Sequence, residues 1–206
     1  MEGRYCFLAF LMIVALITGL RPGFSQGEHS PLRERLRAQT PVWMEQYDIP
    51  GLVLAVVENG EPAWQETFGY ADLAEERPMR GNTVCRVESI SKSVTAWGVM
   101  KLVKNGAIAL DSPVVNYLES WSFPESDYPV EEITVRHLLS NSSGLPLGTV
   151  GKRYTPQAPK PSLKERLTKD AVLEKKPGEA FSYSNVGFNV LELLIEEVTG
   201  RDFAEY

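Results

Sequence analysis

Cysteine and histidine are nearly missing from this 206-residue sequence: the cysteines are Cys6 and Cys85, the histidines His29 and His137. Two such scattered histidines, with no Cys-x-x-Cys pair, do not match the ligand spacings of a zinc site, so no metal is expected. Cys6 lies in an N-terminal apolar run that export would remove, which leaves Cys85 alone and excludes a disulfide framework. Stability must then come from an ordinary hydrophobic core. Cys85 itself, in an apolar-leaning stretch two residues before Val87, is expected to be a small buried side chain rather than a nucleophile. No long basic run occurs, and the formal net charge is −6. That balance gives no reason to expect nucleic acid or an anionic membrane surface as a partner. No internal repeat or low-complexity tract is present.

One long hydrophobic run is there, at the start. Arg4 and the α-amino group precede an apolar segment from Tyr5 to Leu20, broken only by Thr18 and Gly19. Arg21-Pro22-Gly23 ends it, and Gly23 and Ser25 put small residues at −3 and −1 before Gln26. This is the three-part layout of a secretory signal peptide over residues 1–25, and the run is short for a membrane-spanning helix. The expected protein is exported, periplasmic or secreted; the alternative is an uncleaved N-terminal membrane anchor. The whole chain, 43% hydrophobic and 23% charged, has ordinary globular composition, and residues 26–206 are expected to form the folded domain.

Along that domain, residues 31–47 read as an amphipathic helix that Pro41 breaks or restarts. Leu52–Val57 and Ala63–Tyr70 flank Asn59-Gly60, the strongest short hairpin signal. Asp72–Asn82 reads as a loop. Ser91–Asn105 is a helix ended by Asn105-Gly106, Ile108–Leu118 a turn opening a small helix, and Ile133–Leu139 a helix with Thr134 as N-cap. Pro146–Pro161 is a long irregular loop of the kind that lines sites. Leu163–Leu173 and Phe188–Thr199 are helical, the latter closed by Gly200. Because a lone hairpin does not make a stable sheet, the sheet is expected to lack members.

Two motifs carry chemistry. Ser89-Ile90-Ser91-Lys92 opens the helix that runs to Asn105. At i and i+3 the Ser89 hydroxyl and Lys92 amine share one helix face, and the helix N-terminus favours negative charge on oxygen. A serine hydroxyl needs such help to become a nucleophile. By itself the pattern is compatible with Ser89 as a simple N-cap and Lys92 on a solvated face. The second motif is Tyr183-Ser184-Asn185, where a phenol and an amide stand two residues apart on a turn. It is equally compatible with Tyr183 packing its ring and Asn185 capping the following helix.

Taken together with their surroundings, Cys85–Val103, Ile133–Pro146 and Pro177–Gly200 resemble, in order, the class C β-lactamase-related (penicillin-recognising) serine hydrolase family. A related signature pairs S-x-x-K with S-D-N and K-T-G; here Tyr-x-Asn stands for the second. The resemblance implies a β-lactamase/transpeptidase-like α/β sandwich, with an antiparallel sheet, flanking helices and a helical subdomain. It implies Ser89 as acyl-accepting nucleophile, Lys92 as its proton partner, Tyr183 as general base, and Asn185 as the group that holds the substrate amide. It implies no cofactor, and a small-molecule or peptide substrate: a β-lactam, a D-alanyl peptide or a small carboxylic ester. The Asn141–Pro146 loop is implied to support the site, and His137 to be structural. Two departures stand out. Asn141-Ser142-Ser143-Gly144-Leu145 replaces the family's usual His-Thr-Ser-Gly-Leu. No K-T-G or H-x-G follows Asn185, and that motif's strand supplies the second oxyanion N–H, a donor whose loss lowers rates about 10²–10³-fold. The chain is therefore expected to be the C-terminally truncated domain of a serine hydrolase acting through an acyl-enzyme, inactive or nearly so alone; the alternative is a catalytically incompetent product that binds ligand weakly or folds only with a partner.

Overall fold

A computed structural model describes residues 31–149 and 159–206. The expected signal segment and the middle of the 146–161 loop lie outside them. None of the helices among the described residues is long and apolar enough to cross a membrane. The chain divides into two compact units, the first ending at Val87 and the second running Glu88–Tyr206.

In the first unit, helix α1 spans Pro31–Gln46 and is followed by an antiparallel sheet of β1 (Gly51–Glu58), β2 (Glu61–Asp72) and β3 (Arg77–Pro78), in the order β1-β2-β3. The hairpin forms where the Asn-Gly pair predicts it. Glu58 pairs with Glu61, and Asn59 and Gly60 have φ of 54° and 84°, the two positive values a type I′ turn requires. Three expectations are corrected. Pro41 lies inside an unbroken α1, and the preceding Thr40, buried, donates its hydroxyl to the Leu36 carbonyl at 2.6 Å. Packing of that turn thus outweighs the lost backbone donor of proline. The Asp72–Asn82 stretch is not all loop, because Arg77 pairs with Asp72 and Pro78 with Tyr70 to make β3. Glu66 on β2 accepts hydrogen bonds from Arg33 at 2.7 Å and Arg37 at 2.6 Å, and these hold its carboxyl below the usual carboxylate range. Cys85 is half-buried rather than buried, with its Sγ 3.8 Å from the Thr83 carbonyl.

The second unit holds the core. Helices α2 (Ile90–Lys104), α3 (Val135–Leu139), α4 (Leu163–Asp170) and α5 (Asn185–Thr199) surround one apolar cluster. α5 is its axis: Val190, Leu191, Leu194 and Ile195 are fully inaccessible to solvent. α2 contributes Val99 and Leu102, α3 Val135 and Leu138, and α4 Leu167. The caps read from sequence are present. Thr134 accepts from the His137 N–H in a capping box, and Gly200 ends α5 in the left-handed conformation. α4 is shorter than expected, ending at Asp170, and α5 is longer, starting at Asn185. A 3₁₀ turn at Val114–Tyr117 stands where the small helix after Asp111 was expected. Truncating Leu194 to alanine is expected to lower unfolding free energy by about 2–5 kcal/mol, because the enclosed site cannot collapse around the cavity. Urea denaturation of wild type and variant would measure it; a loss well under 1 kcal/mol contradicts this core.

Candidate active site

The nucleophile candidate sits at the mouth of α2. Ser89 is the N-cap residue of that helix, yet it has helical backbone angles (φ −70°, ψ −6°) and its side chain makes no capping bond. Its hydroxyl is therefore free for another partner, which decides against the simple N-cap reading. The residue before it, Glu88, has φ of 45°, a left-handed conformation that is strained for glutamate. That kink lets the Ser91 and Lys92 amides close onto the Glu88 and Ser89 carbonyls, each at 3.1 Å, and start the helix.

One turn on, Lys92 Nζ donates to Ser89 Oγ at 3.3 Å and to Asn185 Oδ1 at 2.6 Å. The same ammonium group stands 4.7 Å from the centre of the Tyr183 ring and 5.5 Å from that of Phe188. Ser89, Tyr183, Asn185 and Phe188 thus meet around one nitrogen, although Asn185 lies 93 positions from Lys92 in sequence. Lys92 is half-buried, so these contacts act with less solvent screening than a surface pair has. Burial, the largest single influence, pushes the Tyr183 phenol up. Hydrogen bonding with Lys92 and Ser89, and the nearby Lys92 charge, together outweigh it and hold the pKa below the ordinary phenol value. The ring is partly exposed, 40% accessible, and does not serve as core.

The Tyr183 segment is held by the loop that precedes it in sequence by some forty residues. Ser182 N–H donates to the Asn141 carbonyl at 2.7 Å and Asn185 N–H to the Leu147 carbonyl at 3.2 Å. Ser184 N–H donates to Asn141 Oδ1 at 3.0 Å, and Ser184 Oγ to the Pro146 carbonyl at 2.7 Å. Ser184, not Asn185, is the N-cap of α5, accepting from Gly187 N–H at 2.8 Å. Asn185 is the first helical residue, which frees its amide to face Lys92. Reading the sequence missed Ser184. The signal for it was available: a serine immediately before an apolar-periodic run is a preferred N-cap. The left-handed loop positions Asn141 (φ 54°) and Gly144 (φ 80°) shape this support. A β-carbon on Gly144 would overlap the Lys175 carbonyl. Gly144→Ala is accordingly expected to lower the melting temperature, with about 1–2 kcal/mol from the left-handed backbone alone. An unchanged thermal transition would contradict it.

His137 lies away from this cluster. Its backbone N–H donates to Thr134 Oγ1 at 3.1 Å, and Nδ1 sits 3.4 Å from the Thr134 nitrogen and 3.2 Å from the Glu132 carbonyl. A cleft of about 170 Å³ borders Asn185, lined also by Gly148, Thr149, Arg166, Lys169 and Asn189. No group of three or more His, Cys, Asp and Glu side chains suited to a metal ion occurs among the described residues.

Residues 35–206 match the family described as Beta-lactamase. The chain belongs to that family. Among its curated relatives, Penicillin-binding protein 4* of Bacillus subtilis is 28% identical over 179 residues, covering 84% of this chain and 38% of that protein. Esterase EstB of Burkholderia gladioli is 31% identical over 185 residues, covering 84% of this chain and 47% of the esterase. The solved octameric penicillin-binding protein homologue from Pyrococcus abyssi superposes with a TM-score of 0.68 at 31% identity, over 84% of this chain and 41% of that one. The fold is thus the β-lactamase/transpeptidase-like α/β fold with an antiparallel sheet and flanking helices, and the chain spans less than half the length of these relatives.

Proposed function

We propose that this chain carries the nucleophile, lysine and tyrosine of a β-lactamase-related serine hydrolase that cleaves an amide or ester through an acyl-enzyme. The observation that carries the reading is the placement of Lys92 Nζ between Ser89 Oγ and Asn185 Oδ1, beside the Tyr183 ring. In the first step, the Ser89 proton passes to the Lys92–Tyr183 pair while Oγ bonds to the substrate carbonyl carbon. The bond to the leaving nitrogen or oxygen then breaks, and the leaving group takes that proton from Tyr183. Water hydrolyses the resulting serine ester by the same path in reverse. The backbone N–H of Ser89, at the start of α2, donates to the oxyanion. Asn185 orients the substrate's amide.

The relatives support a carbonyl substrate of this breadth: one is named for binding penicillin, a cyclic amide, and another as an esterase. β-Lactams, D-alanyl peptides and small carboxylic esters all present such a carbonyl, and the fold does not choose among them. The Arg4–Ser25 segment supports export to the periplasm or medium, with an uncleaved N-terminal anchor as the alternative.

A fluorophosphonate and a fluorescent penicillin, incubated with purified chain and followed by peptide mass spectrometry, test the reading. An adduct on the peptide bearing Ser89 is expected; an adduct elsewhere, or none on folded protein, contradicts it.

A further inference from the structure

We infer that Asn141 is a positioning residue for Tyr183, acting through the two backbone amides that flank it; the inference rests on the function proposed above. In an extended segment, the N–H groups of residues i and i+2 point to the same edge. Those of Ser182 and Ser184 both end on Asn141, one on its carbonyl oxygen at 2.7 Å and the other on its side-chain Oδ1 at 3.0 Å. A single residue thereby fixes the rotation of the segment about its own axis. Because the Tyr183 side chain leaves the middle of that segment, its direction toward Lys92 is set at the same time.

The residue type follows from this geometry. To present its carbonyl and a side-chain acceptor to one edge, residue 141 adopts φ of 54°. Asparagine is among the few side chains that tolerate the left-handed region, and its amide oxygen is two bonds beyond Cβ. Glycine would keep the backbone and lose the acceptor, whereas serine or alanine would strain the backbone. The neighbouring contacts do a different job: Ser184 Oγ caps α5 while donating to the Pro146 carbonyl, and Asn185 N–H anchors the helix start on Leu147. Of the side chains in this ladder, only that of Asn141 grips the segment beside Tyr183 without also serving α5.

Asn141→Gly in the full chain separates positioning from mere loop support. The readouts are the Tyr183 titration, taken as the ultraviolet difference between each protein and its Tyr183→Phe counterpart, and the pH profile of Ser89 labelling by the fluorophosphonate. With the Ser184 N–H released, the phenol swings from Lys92. The Tyr183 titration is then expected to move up toward that of a free phenol. Labelling at neutral pH is expected to fall about tenfold or more. A folded Asn141→Gly whose Tyr183 titrates as in wild type overturns the inference. If wild type itself is never labelled, the proposed function fails, while the titration still decides the role of Asn141. Should Asn141→Gly not fold, hydrogen exchange on wild type decides. Protection of the Ser184 amide by about a hundredfold or more is expected, and exchange near the open-chain rate overturns the inference.

Discussion

Ser89→Ala is expected to abolish labelling by fluorophosphonate and fluorescent penicillin, and Lys92→Met to slow it by about 10³-fold or more. The two substitutions report different things. Alanine removes the atom that becomes covalent, so any residual signal must come from another nucleophile. Methionine keeps the length and most of the volume of Lys92 but removes its nitrogen. It leaves Ser89 Oγ without its 3.3 Å donor, Asn185 Oδ1 without its 2.6 Å donor, and Tyr183 without the charge beside its ring. Three functions are lost in one step, which is why the effect exceeds that of a single hydrogen bond. The fold is expected to survive, since the core of the second unit is built from Val99, Leu102 and the α5 side chains rather than from Lys92. Circular dichroism of both variants controls for this. Labelling of folded Ser89→Ala at the wild-type rate would remove Ser89 from the mechanism altogether.

Tyr183→Phe is the second large effect: a loss of about 10²–10⁴ in the rate of Ser89 acylation at neutral pH, the range of general base catalysis. The ring is partly exposed and stands outside the buried cluster, so stability should change little. The pH dependence sharpens the assignment. A phenol acts as base only when ionised, so the rate rises as pH increases through its pKa. Hydrogen bonding to Lys92 and Ser89, with the Lys92 charge, outweighs burial and holds that pKa below the ordinary value near 10. The ascending limb of the pH–rate profile is therefore expected below that value. In Lys92→Met it should move upward, because burial then acts with less opposition. A limb unaffected by Tyr183→Phe would assign the proton transfer to Lys92 instead. Both experiments use labelling rather than turnover, so they read the first chemical step whether or not the acyl group leaves quickly.

What could be read from the chain alone was whatever depends on neighbours in sequence. The Asn59-Gly60 turn needs two left-handed residues in a row, the Thr134 cap needs a hydroxyl three residues before an amide, and Gly200 needs only its own missing β-carbon. The S-x-x-K spacing likewise puts a hydroxyl and an amine on one helix face without outside help. Family resemblance then joined Ser89 and Lys92 to Tyr183 and Asn185, which no local rule does. The rest was decided by contacts between distant segments. Pro41 stays inside α1, and Arg77–Pro78 pairs as a strand, because packing and a partner strand outweigh local propensity. Whether Ser89 caps its helix or offers its hydroxyl depends on a lysine whose other partner is 93 residues away. The aim of Tyr183 depends on Asn141, 42 residues earlier, through two backbone amides that carry no side-chain signal. Sequence by itself therefore determined the Asn59-Gly60 turn and the Thr134 and Gly200 caps, because those rest on short-range geometry, and family resemblance nominated the reactive groups. Only the tertiary structure decided which of those groups share one nitrogen and what holds them there, because backbone amides satisfy whichever acceptor the fold brings within reach.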